Sequence, residues 1–239
     1  MGGLMLVLGI ETSTPQTSVA LGTEQGIVAS TVLTRGRPGH EVAVPAVSHL
    51  LRWSEVPPGR IGGIAIGLGP GLFTGMRVGI ATGKTLAQVL RVPIVGMASL
   101  DVLAFDVRYS RRPIVAVIDA RRKEVFYAFY RPVPGGVARE TGFQVGSPEE
   151  LAAEIGSRRE EMLLVGNGAL LYRRTLEEEL GSQVELASMA HAYPEAAALV
   201  ELAVPRFVRE EAGRPEDLQP YYVRKSDAEI AWDKRARTA

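Results

Sequence analysis

The chain has 239 residues, 46% of them hydrophobic, with 27 basic side chains against 27 acidic ones and no cysteine. That length suits two lobes with a sizeable core, and the even charge balance argues against a protein that lives mainly on nucleic-acid phosphates, which shows a basic excess. Without cysteine, disulfides, thiolate zinc sites and cysteine nucleophiles are excluded.

Leu4 to Ile10 is a continuous apolar run, the pattern of a strand covered on both faces. No basic n-region precedes it and no small-residue cleavage site follows, so it reads as a buried strand and not as a signal peptide. No apolar stretch approaches the ~18 residues of a membrane span, and a cytoplasmic location is expected. Thr12-Ser-Thr-Pro-Gln-Thr17 predicts a polar turn, and Ser18–Leu21 and Ile27–Leu33 predict two further strands that complete a meander. Pro45 to Trp53 predicts a helix with Pro45 in its first turn. Ile61–Leu68 predicts a strand that feeds a glycine-rich turn, Phe73–Leu90 a long helix, Val92–Met97 a strand, and Ser99 the cap of a helix through Val107.

Arg111-Arg112-Pro113 marks a seam, and the organisation expected is residues 1–110 as an N-terminal lobe, 111–212 as a C-terminal lobe, and 213–239 as a tail that packs back or is partly disordered. Past the seam, Ile114–Ile118, Glu124–Arg131 and Val137–Val145 predict a second meander. Ser147-Pro-Glu-Glu150 is a capping box that opens a helix. Leu163–Gly166 predicts a strand, Ala169–Leu180 a helix, Val184–Leu186 a short strand and Glu195–Val208 a last helix. The order strand-strand-strand-helix-strand-helix thus occurs about twice.

Gly67-Leu-Gly69-Pro-Gly71, between a strand and a helix, has the look of a phosphate-cradling turn. The dinucleotide fingerprint fails at Leu72, and Gly83-Lys84-Thr85 lacks the earlier glycine that a P-loop requires. Gly75, Gly79 and Gly83 recur every four residues on one face of the helix. Each costs about 1 kcal/mol relative to alanine, so a close neighbour must compensate. That neighbour is either another element of this chain or another subunit. Glu11–Ser18 is either a phosphate-holding loop or a polar hairpin turn. Asp119-Ala-Arg-Arg-Lys-Glu124 is the matching turn of the second meander, with three basic residues where a phosphate loop favours small ones. Gly166-Asn-Gly168 either seats a nucleotide or is plain turn chemistry. His40, His49 and His191 form no metal motif, adjacent His40 and Glu41 diverge on a helix, and no serine-protease elbow is present.

Ile10-Glu-Thr-Ser-Thr14 with Ser18-Val-Ala-Leu21, Gly69-Pro-Gly-Leu-Phe-Thr-Gly-Met-Arg-Val-Gly79 with Lys84-x-Leu-Ala87, Ser99-Leu-Asp-Val-Leu-Ala104, Asp119-Ala-Arg, Gly166-Asn-Gly-Ala and Pro220-Tyr-Tyr-Val-Arg resemble the TsaB (YeaZ) family along the whole chain. The resemblance implies an α/β, two-lobed actin/Hsp70/sugar-kinase-like (ribonuclease H-like) fold, each lobe a mixed sheet flanked by helices. It implies a non-catalytic subunit needed for threonylcarbamoyl transfer to the tRNA adenosine next to the anticodon. The implied partners are the transferase TsaD, the ATPase TsaE and a second copy of the chain, with tRNA met through the complex and no membrane.

By the same match Phe73, Thr74, Gly75, Arg77, Gly79 and Gly83 lie at the partner interface, and Gly79→Leu or Gly83→Leu is expected to weaken partner binding in a folded lobe. Glu11, Thr12, Ser13, Asp119, Gly166 and Gly168 are expected as vestigial nucleotide-loop positions. No catalytic residue, metal or cofactor is expected for the chain alone, and ATP or ADP only in the complex. The alternatives are a small nucleotide-dependent kinase or ATPase of the same fold and, ranked below it, a peptidase.

Overall fold

The computed structural model describes residues 4–34 and 39–224. The first half builds β1 (Leu6–Glu11), β2 (Gln16–Thr23), β3 (Gly26–Thr34), α1 (Gly39–Trp53), β4 (Ile61–Gly67), α2 (Phe73–Leu90), β5 (Ile94–Met97) and α3 (Ser99–Asp106). The second builds β6 (Ile114–Arg121), β7 (Glu124–Val133), β8 (Gly136–Arg139), β9 (Gln144–Gly146), α4 (Pro148–Arg158), β10 (Met162–Val165), α5 (Asn167–Leu171), α6 (Arg173–Leu180), β11 (Val184–Leu186) and α7 (Ala196–Val208).

The doubled order becomes doubled topology. The first sheet runs β3-β2-β1-β4-β5 and the second β11-β10-β6-β7-β8. In each, the meander strands pair antiparallel and the two later strands add in parallel. Parallel neighbours need long crossovers, and helices fill them. Side chains alternate across each strand, so both sheet faces acquire a core. Leu8, Ile10, Ile64 and Ile66 face the α1–α2 layer, while Val7, Ala20, Ala65 and Val95 face α7 and part of α3. Val115, Val117, Tyr127 and Phe129 pack under Leu151, Ile155 and Leu176 of α4 and α6.

Helix α3 is apolar on nearly every side, as a helix buried between two layers must be. Its Val102 and Phe105 join the first sheet's core, and Leu100, Leu103 and Ala104 join the second's.

Several expectations are revised. Helix α1 begins at Gly39, so Pro45 lies inside it; the residue is exposed, where water can reach the carbonyl that loses its N–H partner. The strand expected over Val137–Val145 divides into β8 and β9, because the Thr141 hydroxyl accepts from the Phe129 N–H (3.2 Å) in place of a ladder carbonyl. The helix expected over Ala169–Leu180 turns at Tyr172 into α5 and α6 with no Gly or Pro to mark the break. Helix α7, assigned by position to the 111–212 lobe, packs on the first sheet: Ala196, Leu199, Val200, Ala203 and Phe207 share one core with β1, β2, β4 and β5. The tail packs back at least to Arg224, with Leu218 against the first core and the Tyr221 N–H donating to Leu68 O at 2.8 Å.

Leu199 is fully buried. Leu199→Ala is expected to cost about 2–5 kcal/mol. Amide exchange will show the loosening in β1, β2 and β4 of the first sheet ahead of β6 and β7 of the second.

Candidate functional site

The site is built where β1, β4 and β5 end and α2 begins. Strand β1 stops at Glu11, and the turn that follows is sealed: Glu11, Thr12 and Ser13 are each only 1% exposed. The Ser13 N–H donates to Glu11 Oε1 at 2.7 Å and Ser99 Oγ donates to Oε2 at 2.8 Å. Ser99 Oγ in turn accepts from the Gly69 N–H at 3.2 Å. Ser99 was expected to cap α3, but the N-cap residue is Ala98, which makes no side-chain cap bond. The Ser99 hydroxyl is spent on Glu11 instead. Burial pushes the Glu11 carboxyl above its ordinary 4.5, opposed by hydrogen bonds from Ser13 and Ser99.

The glycine stripe of α2 lies directly over this turn. A methyl on Gly75 would fall 2.2 Å from Thr12 O, one on Gly79 2.2 Å from Thr12 Oγ1, and one on Gly83 2.3 Å from Ile66 Cγ2. Thr12 Oγ1 donates to Gly75 O at 2.8 Å, and the Leu72 N–H donates to Ser13 O at 2.6 Å. Gly69, with φ +82°, sets the turn, and a side chain there would meet Met76 Sδ at 2.0 Å. The compensating neighbour of the glycine stripe is therefore this chain's own first hairpin and β4. Gly79 and Gly83 are buried, so the expectation that leucine at either position probes a partner in a folded lobe is corrected: it would collide with Thr12 or Ile66 first.

The six expected interface residues thus separate. Thr74 and Arg77 are exposed, Phe73 and Gly75 half-buried, and Gly79 and Gly83 internal. The tail, which sequence reasoning gave no role, reaches this corner. Tyr222 stacks on Phe73 with ring centroids 5.3 Å apart. Arg77 Nε donates to Tyr222 Oη at 2.9 Å, and its guanidinium lies 3.7 Å from the Phe73 ring centre. Tyr221 meets Phe143 of the second half at 5.1 Å. The outward face of α2 carries Thr74, Arg77, Ala81, Thr85 and Gln88, all exposed. Val89 on the same helix is 72% exposed and Val44 on α1 60%.

The second group of loop positions also comes together. The Asp119 N–H donates to Asn167 Oδ1 at 3.2 Å, and a methyl on Gly168 would lie 3.0 Å from Asp119 N. Gly166, at φ +115°, backs onto Val117 O and Leu103. The two groups stand on different sheets, with α3 between them: Ser99 touches Glu11, and Leu103 packs against Gly166. His40 and Glu41 lie outside the described side chains. Among the described residues no three His, Asp or Glu side chains converge as a ligand set, and no helix is long and apolar enough to cross a membrane.

The comparisons with known proteins bear on this arrangement. A family model described as TsaD, tRNA N6-adenosine threonylcarbamoyltransferase, matches residues 35–232. The chain belongs to that family. Within it, the chain is 29% identical over 229 residues to the tRNA threonylcarbamoyladenosine biosynthesis protein TsaB of Bacillus subtilis, covering 95% of this chain and 98% of the relative. The solved structure of YeaZ from Pseudomonas aeruginosa superposes with a TM-score of 0.76 at 27% identity, over 92% of this chain and 100% of that one. These likenesses place the chain on the TsaB/YeaZ branch of the family. Component A of the (R)-2-hydroxyglutaryl-CoA dehydratase of Acidaminococcus fermentans, at TM-score 0.51 and 13% identity over 85% of this chain and 99% of that one, shares the fold. The architecture is the two-lobed actin/Hsp70/sugar-kinase-like one.

Two outcomes follow for the TsaB/YeaZ-type corner. Gly75→Ala and Gly79→Ala replace poor helix formers with the best one, a gain of ~1 kcal/mol at an open site. Here overpacking against Thr12 is expected to win, with net losses of about 1–3 kcal/mol in chemical denaturation. For Glu11, the folded state holds the proton more tightly than the unfolded chain does. Its contribution to stability is therefore full below the ordinary carboxylate pKa and is lost as pH rises through the raised one. Glu11→Gln is expected to flatten the fall in stability that sets in as pH rises above the ordinary carboxylate range, measured by denaturant midpoints at a series of pH values.

Proposed function

We propose that this chain works in the biosynthesis of threonylcarbamoyladenosine in tRNA as a non-catalytic subunit, offering the outward face of α1 and α2 to a TsaD-type transferase. The observation that carries the reading is the sealed first loop. A nucleotide-binding loop presents N–H and hydroxyl groups to its ligand. Here Thr12 donates to Gly75, the Ser13 N–H is held by Glu11, and Thr12 to Thr14 are at most 3% exposed. A phosphate reaches none of these groups unless α2 is lifted from the sheet. This weighs against the kinase or ATPase alternative, and the missing nucleophile and metal motifs in the sequence weigh against the peptidase.

The partner reading draws on the family's other half. In a TsaB-like subunit the glycine-sealed corner makes α2 a rigid support, and its open side bears small or polar residues at Ala81 and Thr85 among apolar neighbours. Such a surface can seat a helix pair closely. TsaE, a second copy of the chain, and a nucleotide held only within the complex belong to the same proposal, as does contact with tRNA inside the assembly.

Ala81→Arg and Thr85→Arg put a long cation on the exposed face, where the fold itself has room. Co-purification and titration with the TsaD-type paralogue of the same organism are expected to show binding weakened at least about tenfold, as for a charge buried without a partner at an interface core, with the melting temperature unchanged. Unaltered binding by both variants would remove the α2 face from the interface.

A further inference from the structure

The turn between β6 and β7 is built from residues that do not suit it. Arg121, Arg122 and Lys123 have φ of 64°, 56° and 62°, three successive residues in the left-handed region that a Cβ disfavours. Among the described residues the other non-glycine positions with positive φ, Glu55, Arg91, Arg159 and Glu210, each stand alone at a helix end, where one left-handed residue is the usual stop. Arg121 pairs with Glu124 across the hairpin, so Arg122-Lys123 is a two-residue turn, a setting that favours Asn-Gly or Gly-Gly. The chain uses glycine with positive φ elsewhere, at Gly135 in the turn between β7 and β8. At this tip it keeps three long cations, all exposed. Glycine would suit this backbone better, and the chain nevertheless carries a cation at all three positions.

The surroundings hold the backbone and quiet the nearest acids. Asp119 Oδ1 accepts from the Arg121 N–H at 2.9 Å, and Oδ2 faces Arg121 Nη1 at 3.2 Å. Arg224 pairs with Glu124 and donates from Nη2 to Ala120 O at 3.0 Å. The tip offers charge without apolar surface. That suits phosphates, which are held through charge, better than a protein interface, whose core needs apolar anchors. Its place matters too. Arg224 is two residues from Tyr222, which lies on Phe73 and Arg77 at the start of α2. One short segment of the tail therefore connects the base of the tip with the corner next to the face given above to the transferase.

We propose that the Arg121-Arg122-Lys123 tip contacts the phosphate backbone of the RNA on which the complex acts. This rests on the function proposed above. The full chain, reconstituted with its TsaD-type paralogue, is titrated against a fluorescein-labelled unmodified tRNA transcript by anisotropy at several salt concentrations. Arg122→Gly with Lys123→Gly suits the turn's backbone. Arg122→Gln with Lys123→Gln keeps side chains of similar kind without charge.

Both double variants are expected to bind tRNA about tenfold more weakly, with a slope of log affinity against log salt shallower by about 1–2. Affinity for the paralogue is unchanged, and the glycine variant melts at or above the temperature of the parent. Unchanged tRNA affinity and slope in both variants overturn the contact. Weakened grip on the paralogue with tRNA binding by the remaining complex intact overturns it in favour of a protein contact. A parent complex that binds no tRNA overturns this inference and the proposed function together, whereas a parent that binds and variants that match it overturn only the tip.

Discussion

The contact between the Thr12–Ser13 turn and the glycine face of α2 is the constraint on which the first half of the molecule is arranged. It lets the helix settle until Gly75 and Gly79 touch Thr12 and Gly83 touches Ile66. At that depth the turn is closed to solvent, and polar groups there look for partners inside the chain. Glu11, Ser99, the Gly69 N–H and the Gly75 carbonyl supply several of them. One helix approach thus explains a buried carboxylate with no cation, a serine at the start of α3 that does not cap it, and a loop closed to ligands. The same approach fixes which side of α2 is left outside.

The second half repeats the topology and not this device. Its equivalent turn, at the end of β6, carries Arg121, Arg122 and Lys123 in the open; α5 meets Asp119 at its base, and among the described residues no helix covers its tip. The two halves are joined by α3, apolar on nearly all sides between the sheets, by α7, which returns to the first sheet, and by the tail from Gly213 to Arg224. A duplicated fold has in this way become asymmetric. One loop is sealed and the other exposed, and the tail runs from the corner of the first to the base of the second.

Much of this was legible in the chain. Apolar runs and turn residues located nearly every strand, the capping box at Ser147–Glu150 is formed as read, and α2 spans Phe73–Leu90 as its pattern predicts. The cost of three spaced glycines correctly demanded a close neighbour. Which neighbour was not legible, because Thr12 is more than sixty residues away and nothing local announces a turn crossing under a helix. The placement of α7 failed for the same reason: Ala-rich and apolar, it suits either sheet, and only the three-dimensional return path decides. The role of Ser99 was hidden because a serine before an apolar run has the form of a cap whether or not its hydroxyl is spent elsewhere. Of the expected site residues, the loop positions fall into two separate groups, around Glu11 and around Asp119, on different sheets, while the interface set divides into an exposed part at Thr74 and Arg77 and an internal part at Gly79 and Gly83.

The account's central claim is that a closed loop leaves this chain to act through its surface, in company. Reconstituted formation of threonylcarbamoyladenosine on a tRNA transcript tests it most directly, with this chain alone, the TsaD-type paralogue alone, and the two together with the remaining components of the system. The account predicts product only when both are present. Product from this chain without the paralogue, or undiminished product from the paralogue without this chain, would contradict it.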